Sequence, residues 1–176
     1  MSKPVTMPMR VSTLGVVVIF VVATMSHDTD AADAWLRDTN SGCAVWNPDP
    51  RNNESFSWSG SCLAGLATGE GVLQWYEDGK QSERYEGVMS GGKPHGLGTV
   101  TLSTGETHQA QSIDGIFNGP GKVSWSDGVY CKVTYVDGVV DGQAFCYHPN
   151  GDVTAHLFEQ GKPIRRQPEQ ILADEN

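Results

Sequence analysis

Four cysteines, five histidines and a few carboxylates are the residues of this chain that could do chemistry. Cys43, Cys62, Cys131 and Cys146 could serve as thiolate nucleophiles beside a histidine base, as zinc ligands, or as disulfide partners. No C-x-x-C or H-x-x-x-H spacing supports zinc. Three pairings are open, and separations of 19 and 15 residues favour the local ones, Cys43–Cys62 and Cys131–Cys146. Among the histidines, His27 falls in the leader, and His95 reads as a turn or packing residue. His108 stands at an aromatic position, His148 stands in an apolar column, and His156 lies further on. Glu70, Glu77, Asp78 and Glu86 are the set from which a glycosidase-like carboxylate pair could be drawn, but they fall at turn or solvent-facing positions. The chain has no nucleophile elbow and no phosphate-binding loop. We therefore expect no catalytic residue, no metal site and no cofactor.

Composition narrows the partners. In 176 residues, 12 Lys+Arg face 21 Asp+Glu, a net charge of -9. A nucleic-acid binder needs a basic stripe to track phosphates, so that class is excluded. Electrostatic docking on anionic lipid is disfavoured for the same reason. The start is the exception, with Lys3 and Arg10 ahead of the apolar run Leu14 to Ala23. That order reads as a signal peptide over residues 1–34, cut after Ala34 or after Ser26. An uncleaved anchor is the alternative. Export to the periplasm or beyond would suit an even number of cysteines.

The elements that must position these residues repeat. Gly92, Gly115, Gly138 and Gly161 are spaced by 23. Gly96, Gly119 and Gly142 keep the same step, as do Gly105, Gly128 and Gly151. Each unit reads strand, turn, strand, turn. Leu73, Val100, Val123 and Cys146 form one column, and Trp75, Leu102, Trp125 and His148 another. The columns are two residues apart, so both point to one face, while Gln74, Thr101 and Ser124 point to the other. First strands are placed from Tyr85, His108, Tyr130 and Val153, with Gly60, Gly87, Ala110, Lys132 and Ala155 at a position where a ring could cross the backbone. Lys132 is out of character there. No long stretch shows a helical period.

This layout resembles the MORN repeat, whose motif runs aromatic-x-Gly, a glycine turn, Gly-x-Gly and a later Asp-Gly. Tyr85-Glu86-Gly87 through Gly96-Leu97-Gly98 carries it most clearly, and Trp58-Ser59-Gly60 through Gly69-Glu70-Gly71 nearly as well. Weaker copies follow, with His108 and Ala110 in the third unit and Lys132 and Ala144 in the fourth. The resemblance implies an all-β fold, an elongated antiparallel meander of about four to five stacked MORN β-hairpins over residues 56–162. Residues 35–55 read as an irregular N-terminal cap, because Pro48 and Pro50 forbid central pairing, and residues 163–176 as a polar tail. It further implies a non-catalytic scaffold or binding module, here of an exported bacterial type. A partner protein of the cell envelope is the expected ligand, with an envelope glycan or lipid as the alternative and self-association through the open sheet edge a further possibility. A small hydrolase ranks below these. Tyr76, Tyr85, Tyr130 and Tyr147 are the candidate binding residues, whereas Trp75 and Trp125 read as core.

Overall fold

Turn chemistry sets the topology. Asp114-Gly115 and Asp137-Gly138 both take positive φ at each residue, at 51° and 90° and at 49° and 85°. Two such residues in succession close a tight hairpin whose twist matches its strands. The same form recurs at 78–79, 91–92 and 160–161. From the second unit onward the other turn is a three-residue loop, with Gly105, Gly128 and Gly151 donating to the carbonyls of Leu102, Trp125 and His148.

The computed structural model describes residues 35–164, and among them there is no helix. The strands are β1 (Trp35–Arg37), β2 (Ala44–Trp46), β3 (Glu54–Trp58), β4 (Ser61–Leu63), β5 (Leu66–Glu77), β6 (Lys80–Ser90) and β7 (Lys93–Thr101). There follow β8 (Thr107–Ile113), β9 (Ile116–Ser124), β10 (Tyr130–Val136), β11 (Val139–Val140), β12 (Gly142–Tyr147), β13 (Val153–Glu159) and β14 (Lys162–Ile164). From β5 onward successive strands pair antiparallel in chain order, with β11 as a short excursion from β10. The one parallel contact joins β2 to β5 through Ala44 and Leu66. The fold is thus an open, all-β meander of hairpins.

Two buried columns run across the ladder. Leu73, Tyr85, Val100, His108, Val123, Cys131 and Cys146 occupy successive registered positions and are all buried. Nearer the two-residue turns, Met89, Ser112 and Tyr135 recur at 23 residues and are buried with Ala67, Pro94 and Phe117. Register shifts at Gly87/Met89 and Ala110/Gln111 separate the columns. Bulges of this kind bend a strand, and here they let the two columns meet. Adjacent units are also tied by their turns. Gly115, Gly138 and Gly161 donate to the carbonyls of Pro94, Phe117 and Val140 at 2.9, 2.9 and 2.8 Å, so the glycine period is a row of inter-unit hydrogen bonds.

Aromatic rings lie on glycines, as the motif requires. A Cβ on Gly98 would stand 2.3 Å from the Tyr85 ring, and one on Gly71 would stand 2.5 Å from the Trp58 ring. In the third unit the ring above Gly121 is Tyr135, reaching in from β10.

Two expectations need correction. The first is the start of the fourth unit. Cys131, not Tyr130, pairs with Val123 in the core column, and Val133, not Lys132, pairs with Gly121. Counting 23 from His108 lands on Cys131; a one-residue slip sends every side chain of a strand to the opposite face. The second is the segment 35–55, which contains β1 and β2 instead of being wholly irregular. The backbone N–H groups of Ala44 and Trp46 find acceptors in the carbonyls of Gly65 and Gly92, and Val45 beside them is fully buried. Strand β14 likewise runs to Ile164, past the expected start of the tail. The expected signal peptide, residues 1–34, and residues 165–176 lie outside the described residues.

Candidate functional site

The chemistry-bearing residues fall into two groups, one inside the sheet and one on its outer face. Both disulfides form in the favoured local pairing, Cys43–Cys62 and Cys131–Cys146, and no described cysteine is free. That removes the thiol nucleophile.

Inside, three groups line up. The Tyr135 hydroxyl lies 2.7 Å from His108 Nδ1, and His108 Nε2 lies 2.7 Å from Glu106 Oε1. An ionised carboxylate only accepts, so Nε2–H donates to Glu106; in the neutral tautomer this selects, Nδ1 accepts from the Tyr135 hydroxyl. Every proton then has an acceptor. The hydrogen bond from His108 holds the Glu106 carboxyl below its usual range against the opposing effect of burial, and Trp125 adds a further hydrogen bond. Burial, with the Glu106 charge beside it, pushes the Tyr135 phenol well above its ordinary value. The order carboxylate, imidazole, hydroxyl is that of a hydrolytic triad. Here the hydroxyl belongs to a side chain 1% exposed, out of reach of any substrate. The group therefore holds two repeats together.

The other histidines do not converge on a reacting atom. His148 Nε2 and His156 Nε2 each lie 3.0 Å from Thr154 Oγ1. Burial, and then the neighbouring His148, lower the His156 pKa. His95 is exposed in β7, a strand position where a turn or packing role was expected. Among the described residues, no three His, Cys, Asp or Glu side chains are placed to hold a metal ion. Of the carboxylates, Glu77 faces Arg51 at 3.5 Å, Glu86 pairs with Arg84, and Asp78 accepts from Asn53. Glu70 is exposed on β5. The hollow lined by Glu77, Asp78, Lys80, Gln81, Ser82 and Ser103 holds two of these carboxylates but neither histidine nor cysteine.

The outer face is different. Tyr130 and Tyr147 are registered partners whose rings stack with centroids 4.9 Å apart and planes 10° from parallel. That separation equals the spacing of adjacent strands, so the rings stand upright on the sheet. Lys122 Nζ lies 4.8 Å from the Tyr130 ring and Lys132 Nζ 5.2 Å from the Tyr147 ring. Beside them Phe145 is 40% exposed and Val153 55%. Tyr76 is half-buried on the same face at the other end of the ladder.

Tyr85 does not belong with these. It is 2% exposed, its ring covers Gly87 and Gly98, and its hydroxyl donates to the Val88 carbonyl at 2.8 Å. Burial pushes its phenol up to about 12. An aromatic at the first position of the motif faces inward, so Tyr85 is a packing residue. Trp75 is buried as expected, whereas Trp125, at the margin of the core, is 37% exposed. Sequence reasoning missed Lys122, Lys132 and Phe145 as surface neighbours, and missed Glu106 and Tyr135 as partners of His108. Counting 23 from each glycine would have found the first set.

With this geometry in place, the class is clear: a hairpin-repeat, all-β protein whose buried His108, Tyr135 and cysteines are tied up in the fold, the buried Ser112 hydroxyl alone lacking a hydrogen-bond partner among the described residues. The MORN repeat family matches residues 85–107 and 109–130, the unit in which the motif is clearest and the weaker copy that follows it. No curated protein matches the chain. No helix among the described residues is long and apolar enough to cross a membrane.

Proposed function

We propose that this chain is a non-catalytic, exported repeat protein that binds another protein in the cell envelope and acts there as a scaffold. The observation that carries the reading is the division between the two faces. Cysteines and His108 are consumed by the fold, while the outer face over β9 to β13 presents lysines that rest on tyrosine rings without a carboxylate partner, beside exposed apolar side chains. Surface of that kind marks interaction sites in soluble proteins. MORN repeats are commonly binding modules, which supports the same conclusion. The two disulfides, and the basic-then-apolar leader, support export to the periplasm or beyond.

Glycan stacking is the weaker alternative, because Tyr130 and Tyr147 spend ring faces on each other. The test is in-cell cross-linking of the full chain carrying an affinity tag, followed by mass spectrometry. Reproducible recovery of one envelope protein supports the reading, and recovery of background alone overturns it.

A further inference from the structure

The outer face over β9, β10, β12 and β13 carries charge opposite in sign to the chain's net charge. Lys122 and Lys132 are directly opposed across β9 and β10 in a chain of net charge -9. Like charges so placed repel. Among the described residues neither lysine has a carboxylate partner, although carboxylates are abundant in the chain. Their registered neighbours on this face are Gln109 for Lys122 and Phe145 for Lys132. One strand further, Phe145 meets Ala155 and Tyr147 meets Val153. The registered row thus reads Lys122, Lys132, Phe145, Ala155, with Val153 diagonal to Phe145 in the next row beside Tyr147.

That order selects its ligand. Three inter-strand steps from β9 to β13 span about 14 Å, the reach of roughly four extended residues. A segment with carboxylates at one end and an apolar side chain three or four residues on would satisfy both ammoniums and cover Phe145 and Val153. A lipid surface fits less well. It would have to attract the whole acidic chain through two lysines, whereas a short segment feels only the local charge.

We infer that this face docks an extended acidic-then-apolar segment of a partner protein, with carboxylates on Lys122 and Lys132 and an apolar side chain on Phe145 and Val153. The inference rests on the protein-binding reading above and supplies its chemistry.

The probe is a fluorescein-labelled peptide, Glu-Asp-Glu-Leu-Phe-Gly, titrated with the full chain and followed by anisotropy. Binding should weaken about tenfold in Lys122→Gln/Lys132→Gln, several-fold in Phe145→Ser, and steadily with salt. All three substitutions are on the outer face, and matching circular dichroism spectra establish that the variants fold. Equal peptide affinity in the double lysine variant overturns the inference. So does lysine-dependent binding of phosphatidylglycerol vesicles or oligogalacturonate without peptide binding. Repeating the in-cell cross-linking with the double variant separates the two claims. A partner captured equally by both chains sinks this surface alone, while no partner for the wild type sinks the protein-binding reading.

Discussion

His108 Nδ1 and the Tyr135 hydroxyl meet at 2.7 Å although 27 residues separate them. The contact joins the two core columns and explains a departure from the repeat. Where the preceding unit has Tyr85 lying on Gly98, this unit has a smaller imidazole, and Tyr135 from the next strand fills the space over Gly121. Tyr135→Phe would leave a buried nitrogen without its donor and should cost about 1–3 kcal/mol in urea unfolding. His108→Tyr, which restores the residue of the preceding unit, should also destabilise, by about 1–3 kcal/mol, because Tyr135 already occupies the site. Stabilisation by His108→Tyr would refute the exchange.

Acid sensitivity follows from Glu106 and His156. The Glu106 pKa is lowered in the fold, chiefly by the hydrogen bond from His108. A lowered pKa means the unfolded chain binds the proton more readily, so stability rises with pH. The Glu106 contribution should be complete above its ordinary value of 4.5 and lost as pH falls through the folded one. His156, lowered by burial and by His148, has the same sign, with loss beginning below 6.5. Denaturant midpoints measured from pH 7 to pH 3 should fall in two stages. Glu106→Gln should flatten the lower stage and His156→Gln the upper. Unchanged profiles in both variants would contradict the assignment.

The architecture was legible because its determinants are local. Two-residue turns need positive φ, glycine supplies it cheaply, and so the turns declare themselves at fixed intervals. Inward columns such as Leu73, Val100, Val123 and Cys146 follow from alternation alone, and each of these residues is buried. Less legible was which aromatic faces inward. Residue type favoured Tyr130 as the counterpart of Tyr85, whereas the count from Gly128 favoured Cys131, and only the count respects the ladder. The stack of Tyr130 on Tyr147 and the lysines beside it depend on that single residue. Glu106 and Tyr135 converge on His108 through register and strand bending, which no short window of sequence contains.

Gly98 tests the ring-on-backbone device without confusion from backbone strain, since its φ is ordinary. A Cβ there would sit 2.3 Å from the Tyr85 ring and 2.6 Å from its hydroxyl oxygen. Gly98→Ala must displace a ring held on both sides, and should cost about 1–3 kcal/mol as other overpacked cores do. Gly96→Ala has open space but φ of 76°, so its cost of about 1 kcal/mol should come from backbone strain alone. Tyr85→Leu should relieve most of the Gly98→Ala penalty and none of the Gly96→Ala penalty in a double-mutant cycle. Additive losses at Gly98 and Tyr85 would rule out the clash.

The two disulfides should fail in different ways. Cys131–Cys146 joins registered partners in the buried column, closing a loop of 15 residues between β10 and β12. Its removal as Cys131→Ala/Cys146→Ala should lower global stability by about 3 kcal/mol on the chain-entropy estimate. Cys43–Cys62 spans 19 residues and ties the residue just before β2 to β4 at the end of the ladder. Its loss should act on the cap first, since end elements open at lower free energy than the centre of a sheet. Hydrogen exchange distinguishes the two outcomes. In Cys43→Ala/Cys62→Ala, the amides of Ala44 and Trp46, which bond to Gly65 and Gly92, should exchange faster while those of Val100 and Val123 keep their protection. Equal loss of protection at all four amides would show instead that the cap and the repeats unfold as one unit.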